Sequence, residues 1–462
     1  MSFDSIFFIS VFLPVVSALY FFIPSIKAKN IILLIASIVF YSFGSFSGLL
    51  ILIALVLINY LLTVLLKKNK PSKAILILGI VINLSVLFFF KYLNFFVSDI
   101  LGLQAVNLGI AAPLGISFLV FKSISLLIDI YKDPNNTDIK PLDVLLYISF
   151  FPQVTAGPIA RYSQFASQLE SRSYDLESVT LGIRRFVIGL SKKVIICSSL
   201  AKIVDTAFNM SGELDFRLAW VAAISYSLQI YFDFSGYSDM AIGLGNIYGF
   251  KTLENFDYPY VSDSIGNFWR RWHISLSSWF RDYLYIPLGG NRKGTLRTAL
   301  NKLIVFTLCG FWHGANWTFM LWGFWHGLWI GVESLFKGTV KKLNSNKLSN
   351  ILMRVYTLLV VVIGFVMFRA SSVAEGFSLI SAMFTGFQLN AATTVALSIL
   401  LNAKSVFILV LAVILSLPIK KLIKKEGKAL TIASLIGSVL LFALCVLGLS
   451  AGGFAPFIYA QF

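Results

Sequence analysis

The chain has 462 residues, of which 58% are hydrophobic, and its mean hydropathy is +0.83. This composition excludes an ordinary soluble domain, and long apolar runs that recur from end to end predict an all-α polytopic membrane protein. The formal net charge of +17, from 38 Lys and Arg against 21 Asp and Glu, includes many residues in short loops between apolar runs, where it indicates topology and not nucleic-acid binding.

Residues 1–110 contain the N-terminal group of predicted spans. Ser2 to Tyr20 lacks a basic leader and a cleavage site of small residues, so we expect a retained helix and not a signal peptide. Further apolar runs follow at Ile31 to Phe43, Leu49 to Leu66 and Leu76 to Phe90. Because a crossing helix needs about 20 apolar residues, we expect roughly ten to twelve spans in the whole chain.

Residues 111–335 form a predicted central core of a different character. From about Leu114 to Tyr258 the apolar segments are short, and proline, glycine and charged residues interrupt them. This pattern is typical of re-entrant helices, whose irregular backbone is tolerated at membrane depth only beside protein or water. We therefore expect a cavity in this core.

Later in the core, Trp269 to Tyr283 has the apolar periodicity of one amphipathic helix. The pattern places His273 with the aromatic residues, and Arg271 with Ser275 on the opposite, polar face. A basic turn at Asn291 to Lys293 should follow on the cytoplasmic side.

Two stripes of glycine come next, at a spacing that lets membrane helices approach closely. They are Gly310 with Gly314, and Gly323 with Gly327 and Gly331. The three cysteines lie in apolar sequence without the spacing of a disulfide or metal site, so we interpret them as small core residues: Cys197, Cys309 and Cys445.

Residues 336–450 form the C-terminal group of predicted spans, and the lysine-rich loops indicate the orientation. Lysines cluster after the first span, after the third span and before the last, so these ends should be cytoplasmic. The stretch Phe377 to Asn402 carries no charged residue and should lie outside. The last predicted helix, Leu430 to Leu449, then delivers residues 451–462 to the external face.

All three histidines lie within the predicted central core, residues 111–335, and each directly follows a tryptophan. They are His273, His313 and His326. An ionisable group at membrane depth is a functional-site hypothesis by default. For each histidine the alternative is a buried imidazole that only hydrogen-bonds to a neighbouring helix.

Four ordered segments of the chain carry further motifs. They are Phe151 to Ile159 (FPQVTAGPI), Tyr231 to Asp239 (YFDFSGYSD), Trp269 to Arg292, and Gly310 to Trp317 (GFWHGANW). Together they resemble the membrane-bound O-acyltransferases, and within that family the bacterial alginate O-acetylase and peptidoglycan O-acetyltransferase branch. The resemblance covers essentially the whole chain.

The resemblance implies a ring of membrane helices around a thin central core, with a cytoplasmic acyl donor and an acceptor outside. It implies that His313 is the catalytic residue and His273 a second active-site position, while His326 matches a recurrent position. Further supporting or substrate-binding residues are Gln153, Asp233, Asp239, Arg271, Trp272, Trp312, Asn316 and Trp317. For the two aspartates, a role in helix packing is an equal alternative.

The chemistry of acyl transfer agrees with these assignments. A hydroxyl that attacks a thioester must lose its proton, and a neutral, buried His313 is a suitable base. His273, a backbone N–H or the Asn316 amide could polarise the thioester carbonyl. No serine or cysteine lies in a nucleophile motif beside His313, so we expect direct attack, with acetyl-CoA as donor substrate and neither a bound cofactor nor a metal.

The C-terminal segment Phe454 to Phe462 resembles the aromatic motif of this family's systems, in which a tyrosine is proposed to carry the acyl group. Tyr459 occupies that position. The alternative is an aromatic anchor at the membrane interface.

The sequence thus predicts a single-domain O-acetyltransferase of the cytoplasmic membrane that acts toward an extracytoplasmic polysaccharide. The resemblance implies an external SGNH-type transferase as partner, besides membrane lipid. Two alternatives remain open, a D-alanyl transfer protein for teichoic acid and a transporter. The sequence does not identify the polysaccharide.

Overall fold

The computed structural model describes residues 1–68, 72–103, 108–134, 139–173, 175–210, 212–419, 428–452 and 458. Every regular element in these ranges is a helix, as the sequence predicts. Tyr459 lies outside the described residues, and so does most of the segment 451–462.

The described residues fall into two compact units. The first contains residues 1–189 and 237–254, and the second contains residues 190–236 and 255–458. Helices of the first unit are Phe8–Phe22, Ile26–Ser42, Phe46–Lys68, Lys73–Ile100, Ile116–Lys132, Pro141–Ser149 and Tyr162–Glu170. Helices of the second unit are Ser198–Asn209, Ile265–Arg271, Ile274–Phe280, Gly294–His313, Trp317–Leu335, Lys337–Ser345, Lys347–Arg369, Val373–Thr385, Ala391–Leu400, Ala403–Leu415 and Lys428–Ser450. Two further helices, Leu176–Ser191 and Phe216–Ile247, carry residues of both units.

Four helices of the described ranges are long and apolar enough to cross a membrane, namely Phe46–Lys67, Lys73–Ile100, Lys347–Arg369 and Ile432–Ser450. A fifth candidate is the pair Ala391–Leu400 and Ala403–Leu415, which bends by 76° at a short break. Only 17% of the apolar window in Lys73–Ile100 is buried, so most of this apolar surface is available to lipid. Other apolar helices, such as Phe8–Phe22, are shorter than a full crossing.

Buried amides join two of these long helices in the first unit. The Asn59 and Asn83 side chains each donate Nδ2 to the other's Oδ1, at 3.1 and 2.7 Å. Each amide also donates to a carbonyl one turn earlier in its own helix. These bonds satisfy polar groups that would otherwise be costly to bury in an apolar layer.

The glycine stripes bring two helices of the second unit together, as predicted. A Cβ on Gly323 would lie 2.9 Å from the Gly310 Cα, and a Cβ on Gly327 would lie 3.0 Å from the Leu303 Cα. Backbone-to-backbone contact of this kind is possible only without side chains. Gly314 does not belong to the stripe, because the helix ends at His313.

The prediction of one unbroken helix over Trp269 to Tyr283 is wrong. The first helix ends at Arg271, and the second begins at Ile274. His273 lies at the break with φ 45°, in the left-handed region that residues other than glycine rarely adopt. The three cysteines, by contrast, are buried and free, as expected.

Candidate active site

His313 lies at the end of a helix, inside an aromatic enclosure. It is the last residue of Gly294–His313, and only 2% of its surface is exposed. Its ring lies edge-on to Trp312, Trp322 and Phe368, with centroid distances of 5.0, 5.2 and 5.4 Å. The helix terminus and these three rings hold the imidazole in a site from which bulk water is excluded.

Trp322 connects His313 to a second buried histidine. The His326 ring lies 5.3 Å from Trp322, and its Nδ1 accepts a hydrogen bond from the Trp269 indole N–H at 3.3 Å. Because Nδ1 accepts, a neutral His326 carries its proton on Nε2. A Cβ on Gly364 would lie 2.6 Å from that Nε2, so only glycine leaves room for the ring.

His273 belongs to a different cluster and has the opposite tautomer. Its Nδ1 lies 3.2 Å from Asn255 Oδ1, which also accepts from the Ser275 backbone N–H and hydroxyl at 3.2 and 2.9 Å. A backbone N–H can only donate, so this Asn255 atom is the oxygen, and His273 Nδ1 must donate to it. A neutral His273 therefore offers Nε2 as its acceptor atom.

The surroundings of His273 keep it neutral and fixed. The Phe234 ring lies edge-on at 4.5 Å, and the histidine is 1% exposed. It lies outside the long crossing helices, and burial lowers its pKa to about 3. The left-handed backbone costs on the order of 1–3 kcal/mol, a strain that clusters at functional sites.

Arg271 and Trp272 position this break from its N-terminal side. The Arg271 guanidinium donates to the Asp257 backbone carbonyl and to Asn267 Oδ1, both at 3.1 Å. Trp272 is buried and stacks on Phe268 with a centroid distance of 5.4 Å. These contacts support the backbone that presents His273.

Asn316 and Trp317 lie at the start of the helix Trp317–Leu335. Asn316 caps the Trp317–Leu335 helix, since its Oδ1 accepts the Thr318 N–H at 3.0 Å and its Nδ2 lies 3.4 Å from the Ser371 carbonyl. The Asn316 Oδ1 is thus used in capping, and the polarisation of a substrate carbonyl by an Nδ2–H of this amide stays a prediction. Trp317 is 45% exposed.

The two aspartates of the YFDFSGYSD motif both form ion pairs. Asp233, in the second unit, pairs with Lys193 at 2.8 Å, and both side chains are buried. Asp239, in the first unit, accepts from Arg185, which also binds Glu254. Gln153, also in the first unit, accepts from the buried Lys122 ammonium at 3.1 Å. A role for either aspartate in orienting a histidine stays a prediction.

A cavity of about 230 Å³ lies in the second unit, beside Trp269. Its wall combines apolar side chains with three cations, Arg270, Arg281 and Lys302. Cys309, one helical turn before His313, also lines it. The sequence predicts a cavity in the core but does not single out these cations.

Sequence reasoning also missed Asn255, Trp322 and Gly364, which determine the histidine geometry. Asn255 follows a mixed polar stretch without periodicity, and Trp322 is one of several tryptophans in an apolar helix. Only the tertiary contacts distinguish them from ordinary loop and core residues.

Comparison with known proteins places this site within one family. Residues 131–374 match the membrane-bound O-acyltransferase family, MBOAT. The chain is 38% identical to the probable alginate O-acetylase AlgI of Azotobacter vinelandii, over the full length of both chains. It is 36% identical to the peptidoglycan O-acetyltransferase of Helicobacter pylori, over 82% of this chain and 79% of that one. A teichoic acid D-alanyltransferase of Bacillus subtilis is 33% identical over 55% of this chain and 68% of its own.

Proposed function

The chain belongs to the membrane-bound O-acyltransferase family, and from that membership we propose that it moves acetyl groups toward hydroxyls of an extracytoplasmic polysaccharide. It is an O-acyltransferase of the membrane. The observation that carries the proposal is the buried imidazole of His313, enclosed by aromatic rings in the matched region. The relatives that match most of the chain act on alginate and peptidoglycan by name, which supports acetyl as the transferred group.

The proposed acid–base chemistry is carried by the two histidines. His313 takes the proton of the attacking hydroxyl as its oxygen bonds to the thioester carbonyl carbon. The carbon–sulfur bond breaks, and the leaving thiolate then takes that proton from the imidazolium. His273, in the tautomer that Asn255 imposes, has an acceptor at Nε2, so the geometry favours a second proton acceptor over a group that polarises the carbonyl.

A phosphorylated thioester such as acetyl-CoA suits the cavity beside Trp269. Its cations would attract the phosphates, and its apolar wall would contact the uncharged arm that leads to the thioester. The cavity is lined by the helix that ends in His313, and the basic turn at Asn291 to Lys293 lies next in sequence to one of its walls. The donor would therefore enter from the cytoplasmic side.

Tyr459 serves in this proposal as the acyl carrier. Its phenol oxygen attacks the thioester, its proton passes to His313, and the aryl ester so formed is activated for a second transfer. A hydroxyl of an SGNH-type partner or of the polysaccharide then displaces the phenol and supplies the proton that the phenol regains. This route requires residues 451–462 to lie outside, at the outer face of a ring of about ten to twelve spans in the cytoplasmic membrane.

D-alanyl transfer is the second candidate, and the Bacillus subtilis relative supports it. Its match covers about half of this chain, whereas the acetyl-transferring relatives match four fifths or more. Acetyl transfer is therefore the better supported of the two.

The test of this function is the loss of acetyl transfer in His313→Gln and His313→Ala. Both variants should accumulate in the membrane and transfer less than about one hundredth of the wild-type acetyl, as expected when a general base is removed. The activity is measured as the amount of acetyl that mild alkali releases from the polymer. Substantial acetylation by either variant would exclude His313 as the base.

A second test addresses the carrier. Tyr459→Phe keeps the aromatic ring and deletes only the hydroxyl, so polymer acetylation should stop as completely as in His313→Gln. Peptide mass spectrometry of the wild-type C-terminus should detect an acetyl group on Tyr459. Normal acetylation by Tyr459→Phe would leave the motif as an interfacial anchor only.

A further inference from the structure

A buried ion pair in the second unit has an unusual additional partner. Lys193 Nζ and Asp233 Oδ1 are 2.8 Å apart, with exposed fractions of 1% and 0%. Desolvation of two charges offsets most of the attraction between them, so a pair this deeply buried contributes little net stability.

The second oxygen of the same carboxylate binds the C-terminal segment. Asp233 Oδ2 accepts the backbone N–H of Ile458 at 2.8 Å, across 225 positions of sequence. An ionised carboxylate is an acceptor at both oxygens, and a bond from a backbone N–H to such a charge is stronger than one between neutral groups. The two oxygens of the Asp233 side chain thus bind Lys193 and Ile458 respectively.

Two neighbouring contacts relate the hydrogen bond between Asp233 and Ile458 to the candidate active site and to the last helix. Phe234, the residue after Asp233, lies against the His273 ring at 4.5 Å. The residue after Lys193 touches the last helix, since a Cβ on Gly448 would lie 3.0 Å from Val194 Cγ1. Asp233 is thus next in sequence to a residue that contacts a candidate active-site histidine, and Lys193 is next to a residue that contacts the last helix.

We propose that Lys193 and Asp233 are positioning residues that fix the C-terminal segment at Ile458, so that its neighbour Tyr459 is presented for acyl transfer. This inference rests on the proposed carrier function of Tyr459. Consecutive Cα atoms lie about 3.8 Å apart, so an anchored Ile458 restricts the position of the next residue. A fixed acceptor gains rate because less orientational entropy is lost on the way to the transition state.

The hydrogen bond between Ile458 and Asp233 can be removed by a substitution at Ile458, which leaves both residues of the ion pair unchanged. Ile458→Pro deletes the only hydrogen that Asp233 Oδ2 accepts from this residue, whereas the matched control Ile458→Ala retains it. Polymer acetylation should fall about tenfold to a hundredfold in Ile458→Pro, the range for one hydrogen bond to a charged group. It should stay within about twofold of wild type in Ile458→Ala. Equal activity of the two variants would overturn the proposal.

The ion pair is tested with an apolar replacement of both partners. Lys193→Met with Asp233→Leu leaves neither charge buried alone, so the protein should fold and accumulate. Acetylation should fall as far as in Ile458→Pro, and combining all three changes should cause no further loss, because they break one interaction. If the loss caused by Ile458→Pro and the loss caused by the double replacement were fully additive, the proposal that Asp233 anchors Ile458 would be contradicted.

Two further measurements separate positioning from catalysis and from folding. We expect purified protein to hydrolyse acetyl-CoA slowly, with water in place of Tyr459 as the nucleophile, so Ile458→Pro should leave the hydrolysis rate unchanged. A fall in hydrolysis as large as the fall in polymer acetylation would mean general damage and would overturn the proposal. A cysteine introduced by Gln461→Cys, with the native cysteines removed, should react faster with a thiol reagent in the Ile458→Pro background than in Ile458→Ala. Equal labelling rates would exclude anchoring.

The same variants distinguish failure of the anchor from failure of the carrier. If Tyr459→Phe acetylates normally, the carrier function is wrong, and the labelling difference alone then decides whether Asp233 anchors the segment. If Tyr459→Phe is inactive but Ile458→Pro is active, the carrier stands and the positioning proposal falls.

Discussion

Asn255 determines what the His273 imidazole can do. Its single carboxamide oxygen is approached by three groups, the His273 ring, the Ser275 N–H and the Ser275 hydroxyl. With a pKa of about 3 for His273, the ring stays neutral throughout the physiological range, and Nε2 stays able to accept a proton. The amide of Asn255 therefore fixes a tautomer without promoting protonation of the ring.

Asn255→Asp tests this arrangement, because it keeps an oxygen at the same place and adds a negative charge. A carboxylate beside His273 favours the imidazolium and raises its pKa, so the protonated, inactive form should appear as pH falls. Acetyl transfer by Asn255→Asp should therefore decline between about pH 7 and pH 5 relative to wild type.

Ser275→Ala is the matched control for that experiment. It removes one of the three donors to Asn255 while leaving the amide and His273 in place. Its pH profile should follow that of the wild type. If Asn255→Asp also follows the wild-type profile, the contact between Asn255 and His273 has no effect on protonation.

The sequence predicts which residues of this site are buried and ionisable, but it does not predict their hydrogen-bond partners. The three Trp-His pairs in apolar sequence identify His273, His313 and His326 as buried ionisable groups, and all three are at most 2% exposed. Which ring nitrogen accepts depends on Asn255 for His273 and on Trp269 for His326. These contacts arise from tertiary packing, and no local pattern specifies them.

At the scale of elements, the break at His273 explains why apolar periodicity predicted one unbroken helix over Trp269 to Tyr283 where the structure has two. Trp269, Leu276 and Phe280 are all buried, so the apolar face was predicted correctly. The helix is nevertheless interrupted, because Asn255 captures the N–H groups of Ile274 and Ser275, through its carbonyl and its side chain. Tertiary hydrogen bonds thus replace the helical ones that the local sequence favours.

The glycine stripes were predicted for a local reason, and Gly310, Gly323 and Gly327 do lie at close backbone contacts. Small residues at four-residue spacing allow close approach whatever the partner helix is, so the pattern needs no knowledge of the fold. The structure adds which glycines are indispensable. A Cβ on Gly323 would clash with the Phe306 carbonyl, whereas the nearest atom to a Cβ on Gly331 is 3.5 Å away.

Gly323→Ala should therefore destabilise the protein by about 1–3 kcal/mol, the range for overpacking a tight contact. Gly331→Ala, on the same helix, adds the same methyl group in ordinary van der Waals contact and should be close to neutral. Thermal unfolding in detergent measures both. Equal melting temperatures for the two variants would mean that the helices separate easily at Gly323.

At the scale of the whole molecule, composition is sufficient to predict a helical membrane protein but not to count its spans. Lys73–Ile100 and Ile432–Ser450 are long, apolar and little buried, as lipid-facing helices should be. Central helices such as Ile265–Arg271 are too short to cross, and their apolar residues pack against other protein. Hydropathy reports apolar sequence in both cases, and only packing separates lipid-facing from protein-facing helices.

The topology is tested by two single cysteines in a background without Cys197, Cys309 and Cys445. Those three are buried, so their replacement by alanine removes little reactive surface. Ser72 lies at the start of Lys73–Leu87, next to the lysine-rich loop, and Gln388 is exposed in the uncharged stretch between Val373–Thr385 and Ala391–Leu400. Thr393, in the same stretch, is fully buried and would label poorly.

By the positive-inside rule, Ser72→Cys should react with an impermeant thiol reagent only from the cytoplasmic side, and Gln388→Cys only from outside. Intact cells label the external cysteine, and inverted vesicles label the cytoplasmic one; denatured samples give the full signal of each. The prediction bears directly on acyl transfer, because the same charge distribution predicts that the last helix runs outward and that the proposed carrier Tyr459 lies outside. Labelling of both cysteines from one side would contradict this orientation and would require the acyl group to leave the protein by another route.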